Sequence, residues 1–169
     1  MLAIGNMSGK KPLVYFVGLS AKPNCDHLSP QTNTGNIVEQ IIHSLPYVTS
    51  VKTNLVRTPP LDQKGNLRYP NFIEMEQGWK ELQNEMGQMF PNLLVTLGQQ
   101  VSFFLRSRMG VQPAKPRLPA DFSSKIYLSQ SEPPLLSVHH PSFIFIYRRK
   151  YIENYVNNVV QSISSLILG

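Results

Sequence analysis

Three places in this chain put chemically capable residues where they could reach a ligand. The first is LLSVHHPSFIFIYRRKY, from Leu135 to Tyr151. There an apolar run delivers His139 and His140 to a proline, and a greasy segment and a basic cluster follow. An imidazole at the carboxyl end of a strand can donate to a developing anion, whether neutral or protonated. His140 precedes Pro141, which biases its backbone to extended geometry, and alternation along a strand sends His139 to the other face. The second is Asn54, in the otherwise apolar VTSVKTNLVR. Asparagine is depleted in strands, and its amide carries both donors and an acceptor, which suits the edge of a base. The third is GLSAKPNCD, at the exit of the first apolar run. It lacks the glycine patterns of dinucleotide sites and phosphate loops, so no nucleotide cofactor is expected. Each place also has a plain structural reading: a surface histidine, an edge or turn asparagine, and a glycine that allows a tight turn.

The residues after His140 extend the first place. Ser142 could cap the segment after it or bond a phosphate. Phe143, Ile144 and Phe145 form an apolar tip, which is either core or a wedge of the kind that DNA-distorting proteins insert. Arg148, Arg149 and Lys150 stand before a final helix. Cations there oppose the helix dipole by roughly a few tenths of a kcal/mol each, so a phosphate partner gives their placement a motive. His27 and His43 read as loop and helix-surface residues with no role, and no spacing among the histidines predicts a metal site.

The elements that must position these residues alternate. Apolar runs at Pro12–Ser20, Val48–Arg57, Asn92–Gly98 and Pro133–Val138 read as strands, with a further short one in SKIYL. Helical spacing begins at Asn36 with Ile37, Val38, Ile41, Ile42 and Leu45. Asn71 with Glu74 predicts a capping box, followed by a face of Trp79, Leu82, Met86 and Met89. QQVSFFLRSR predicts a short helix. Ile152, Tyr155, Val156, Val159, Ile163 and Leu166 predict an amphipathic helix at the end. The Pro-rich stretch from Val111 to Phe122 reads as loop. Strand and helix in turn predict a three-layer α/β/α sandwich around a mostly parallel four-stranded sheet. Ligands collect at the carboxyl ends of such strands, which here carry Gly18, Leu19 and Ser20, then Asn54, Gly98 and the two histidines.

At 169 residues, 41% hydrophobic and 15% charged, the chain predicts a single domain over 12–169 after a flexible leader over 1–11. No apolar run approaches the ~20 residues of a membrane span, and the first residues do not predict a secretory signal, so a cytoplasmic monomer is expected. One cysteine, Cys25, excludes an internal disulfide or a multi-cysteine metal site. The net charge of +6 fits a polyanionic partner.

Taken together, LLSVHHPSFIF, VTSVKTNLVRTPP and FPNLLVTLGQQVSFFL resemble motifs of the uracil-DNA glycosylase superfamily, in order, over about Leu13 to Ile163. They are most similar to its thermostable bacterial and archaeal branch. The resemblance implies an enzyme without a cofactor that flips a damaged base out of DNA and cleaves its N-glycosidic bond. It implies that His140 donates to the departing base, that Asn54 reads its Watson–Crick edge with Gly18 and Leu19 alongside, and that Phe143 and Ile144 fill the vacated gap. Ser142, Arg148, Arg149 and Lys150 would grip phosphates. Two departures stand out. The first motif, Gly18-Leu19-Ser20-Ala21-Lys22-Pro23, has no carboxylate or amide where the family positions water, which leaves Asn24, Asp26 or Ser20 for that task. The family's stacking aromatic is replaced by Gln31, Thr32 and Asn33. Loss of the stack weakens binding of plain uracil by ~1–3 kcal/mol and opens the pocket to a larger or more polar base. The iron–sulfur cysteines of the thermostable branch are absent. A relative that binds DNA or a modified base without cleaving it is the alternative reading.

Overall fold

The computed structural model describes residues 9–111, 128–129 and 132–169. The chain alternates as expected: β1 (Leu13–Ser20), α1 (Asn33–His43), β2 (Thr49–Val56), α2 (Phe72–Met89), β3 (Leu93–Leu97), α3 (Gln99–Arg108), β4 (Leu128–Ser129), β5 (Leu135–Val138), α4 (Pro141–Tyr147) and α5 (Ile152–Leu168). The sheet order is β2-β1-β3-β5-β4. The first four of these are parallel neighbours, and the two-residue β4 runs antiparallel along β5. This is the expected α/β architecture. The expected Pro-rich loop beyond Val111 and all of SKIYL except Leu128 lie outside the described residues.

Alternation along β1 builds both faces of the sheet. Val14 and Phe16 join α1, α4 and α5 in one core, while Tyr15 and Val17 join α2 and α3 in the other. Strands covered on both sides need continuous apolar runs, and Leu93–Leu97 is buried at every position. The chain leaves β1 toward α1 on one face and leaves β3 toward α3 on the other. Two helices that diverge from adjacent strand ends leave a crevice between them, the switch point at which α/β sheets bind ligands.

Local chemistry sets the helix ends. Asn71 and Glu74 form the capping box: Asn71 Oδ1 accepts from the Glu74 amide at 2.9 Å, and Glu74 Oε2 accepts from the Asn71 amide at 2.8 Å. Helix α1 begins three residues before the predicted Asn36, because the Thr32 hydroxyl caps it, accepting from the Gly35 amide at 3.0 Å. Met89, predicted on the inner face of α2, is instead exposed at its last turn.

Helix α2 lies close enough to β2 that glycine is required where they cross. A Cβ at Gly78 would stand 1.9 Å from the Leu55 carbonyl oxygen. In a free helix Gly→Ala gains about 1 kcal/mol; here the clash reverses the sign. Gly78→Ala is expected to destabilise the protein by ~1–3 kcal/mol, read as a lower urea midpoint. An unchanged or raised midpoint would contradict this packing.

Candidate functional site

A cavity of about 600 Å³ opens at the carboxyl ends of β1 and β3. That is within the roughly 300–1,000 Å³ typical of small-ligand sites. Gly18, Leu19 and Ser20 line it from β1, Lys22, Cys25 and Asp26 from the following loop, and Thr32 and Thr34 from the start of α1. Asn54 comes from β2, Gly98 from the end of β3, Gln99, Gln100 and Val101 from α3, and His140 and Ser142 from the turn after β5. The loop between β2 and α2 closes one side with Leu67, Arg68 and Tyr69.

Two glycines make room for the polar groups. Gly18 pairs with Asn54 across the parallel register, and a Cβ at Gly18 would lie 2.4 Å from Asn54 Oδ1. Asn54 is buried inside its strand, and its Nδ2 donates to His27 Nδ1 at 2.9 Å. Gly98 takes φ +102°, which favours glycine. A Cβ there would meet His140 Cβ at 3.1 Å and Cδ2 at 3.2 Å.

The protonation state of His140 follows from its neighbours. The Ser142 amide can only donate, and it points at His140 Nδ1 from 3.2 Å. Nδ1 is therefore an acceptor, the Ser142 hydroxyl also donates to it at 2.6 Å, and the ring proton belongs on Nε2. Burial, and then the Lys22 cation, push the His140 pKa down from 6.5 to about 4. The imidazole is neutral at physiological pH, with one N–H left to donate.

Of the predicted site residues, the fold gathers Gly18, Leu19, Ser20, Asp26, Thr32, Asn54, His140 and Ser142 around one cavity. Asn24 is exposed, has φ 56°, and does not line it. Gln31 and Asn33 are exposed and also outside its wall. Thr32 does line it, but its hydroxyl is committed to the α1 cap and to the Ser29 carbonyl at 2.8 Å. Ser142 was expected to hold a phosphate; its hydroxyl holds His140 instead.

The apolar tip needs the largest correction. Its residues form α4, so helical spacing rather than sequence adjacency decides what faces water. Ile144, expected in the wedge, is 0% exposed and packs in the core. Phe143 is 39% exposed, and Ile146 and Tyr147 are exposed beside it. Phe143 stacks on His139 at 6.1 Å and meets Tyr147 at 5.4 Å. Arg148, Arg149 and Lys150 are exposed just beyond, with Arg149 over the Phe145 ring at 4.3 Å.

Sequence reasoning missed His27, Thr34 and the Leu67–Tyr69 wall. The wall carries a readable signal, an Asx-type turn: Asp62 Oδ1 accepts from the amides of Lys64 and Asn66, each at 2.8 Å. Arg68 then locks it with a two-pronged pair to Glu74 at 2.8 and 2.9 Å. Among the described residues, no cluster of His, Cys, Asp and Glu could hold a metal ion, and no helix is long and apolar enough to cross a membrane.

The described residues form an α/β fold around a mostly parallel sheet. It is similar to the crystal structure of wild-type SMUG2 from Pedobacter heparinus, with a TM-score of 0.61 and 10% identity, covering 94% of this chain and 77% of that one. No protein-family model matches the sequence, and no curated protein does.

The lowered His140 pKa has a sign that can be checked. Between 6.5 and about 4 the unfolded chain takes up a proton that the folded one refuses, so this group makes stability fall as pH falls through that window. The His140 ring resonance is expected to titrate near 4 by NMR; a midpoint near 6.5 would contradict a buried, neutral imidazole.

Proposed function

We propose that this protein is a DNA glycosylase that takes an extruded base between Asn54 and His140 and hydrolyses its N-glycosidic bond. The observation that carries the proposal is the pairing of a base-edge reader with a neutral imidazole. Asn54 and His140 line one cavity, and the acceptor nitrogen of His140 is filled by Ser142, so the remaining N–H is the donor.

The chemistry follows from that donor. As the C1′–N bond breaks, the base takes the electron pair and the sugar becomes cationic. The Nε2–H of His140 donates to the carbonyl oxygen on which the charge collects, with no proton transfer needed. Water then adds to C1′, and the proton it loses ends, through solvent, on the departed base anion, so that the products are a C1′ hydroxyl and the neutral free base. One fixed donor of this type supplies roughly 2.7–4 kcal/mol, about 10²–10³ in rate. Ser20 and Asp26 line the cavity and are the candidates for holding the water. Outside the cavity, Phe143 with Ile146 and Tyr147 forms the apolar wedge, and Arg148, Arg149 and Lys150 meet the phosphates.

The absence of an acidic side chain at Leu19 or Ser20 favours a second reading, a binding protein that does not cleave. Single-turnover assays on oligonucleotides carrying uracil or modified bases separate the two, since only the enzyme releases free base. His140→Ala is expected to slow release about 10²–10³-fold while DNA binding persists; unchanged turnover would refute the role. Phe143→Ala should weaken activity on duplex without loss of stability. Ile144→Ala should instead cost about 2–5 kcal/mol of stability, read by urea unfolding.

A further inference from the structure

The wall that closes the cavity after β2 ends in an aromatic ring that the rest of the protein leaves uncovered. Tyr69 lines the cavity and is 73% exposed. Among the described residues, none hydrogen-bonds its hydroxyl and no ring or cation packs on its ring. The backbone beneath it is fixed all the same. Leu61 and Leu67 pair as an antiparallel bridge, and the Arg68 amide donates to the Pro60 carbonyl at 2.9 Å. The Arg68 guanidinium donates to the Leu61 carbonyl at 3.1 Å and to the Tyr69 carbonyl at 3.0 Å, besides its pair with Glu74. Pro70 further restricts Tyr69 to extended backbone. The loop is ordered, and it presents the ring to water.

Phe72 and Ile73 continue this exposed apolar surface into α2. Large apolar side chains held out together mark a contact surface. Because Tyr69 belongs both to this surface and to the cavity wall, what covers it is continuous with what fills the cavity. Phe143 stands on the other side of the mouth. Tyr69 follows β2 and Phe143 follows β5, and the sheet order sets β1 and β3 between them. A strand that delivers one base to Asn54 and His140 passes one neighbour over α4 and the other over the loop that carries Tyr69.

We propose that Tyr69 is the platform on which the nucleobase next to the extruded one stacks, on the side away from α4. The inference rests on the reading of the cavity as the site of an extruded base. An uncovered aromatic face suits a planar partner, and every nucleobase offers one whatever the sequence. The net charge of +6 suits the polyanionic strand that carries it. A base that lies on Tyr69 has left the duplex stack, so the platform serves unpaired DNA.

The test is affinity for four single-stranded oligonucleotides built around one 2′-fluoroarabino-uridine, whose glycosidic bond resists cleavage. One is intact. In the others a tetrahydrofuran residue replaces the 5′ neighbour, the 3′ neighbour or the uridine itself. Wild type is expected to lose about tenfold when one of the two neighbours is abasic. Tyr69→Ala should lose about tenfold on the intact probe and nothing further when that same neighbour is abasic, with an unchanged melting temperature because the ring is exposed. Tyr69→Trp should restore the wild-type pattern. No loss in wild type at either neighbour, or a Tyr69→Ala effect that is nil or equal on all four probes, would overturn the inference and leave the base-extrusion reading standing. An effect that disappears only when the uridine itself is abasic would set the ring against the extruded base, and would overturn it too. Failure of wild type to bind any probe would overturn this inference and that reading together.

Discussion

The site exists because two strand ends carry no side chain. At the end of β1 the parallel register sets Gly18 beside Asn54, and the amide oxygen occupies the space a Cβ would need, 2.4 Å away. At the end of β3, Gly98 turns at φ +102° and leaves the His140 ring its place. A side chain at either position would push a polar group out of the crevice or fill the crevice itself. The switch point between β1 and β3 supplies the opening, the glycines let polar groups from β2 and the β5 turn reach into it, and the hydrogen bonds from Asn54 to His27 and from Ser142 to His140 orient them.

Charged side chains line the opening at Lys22, Asp26 and Arg68, but the imidazole among them carries no charge. The chain carries a net +6, yet the imidazole that faces the cavity is kept neutral by burial and by the Lys22 cation. Three arginines are tied to acids: Arg57 to Glu85, Arg68 to Glu74 and Arg108 to Glu76. Their positive charge fixes loops and helix starts more than it attracts a ligand. Exposed cations include Lys22 at the cavity and Arg148, Arg149 and Lys150 directly after the apolar face of α4.

The short helix α4 links the two regions. His140 caps it, Pro141 starts it, and Ile144 anchors it in the core with α1 and α5. The same seven residues therefore hold the imidazole at one end and present Phe143 and Tyr147 to solvent along one side. Tyr155 of α5 braces the turn, donating to the His139 carbonyl at 2.6 Å.

The fold was largely written in local patterns. Apolar runs bounded by turn residues marked the four parallel strands, the Asn71–Glu74 pair marked the start of α2, and helical spacing marked α5, because these elements are set by periodicity and by contacts a few residues apart. The residue types of the site were legible for the same reason: an asparagine inside an apolar strand and a histidine before proline break their local patterns. Helix α4 was not, since seven residues are too few for periodicity to separate Ile144, which is buried, from Phe143, which is not. Nor was the partnership of His27 with Asn54, 27 residues apart, or the wall formed by Arg68 and Tyr69. Those depend on strand register and on where loops come to rest over the sheet. The sequence by itself determined which elements form and which residues break their patterns; only the tertiary structure decided which of those residues meet, because contacts between distant segments are set by packing the whole sheet at once.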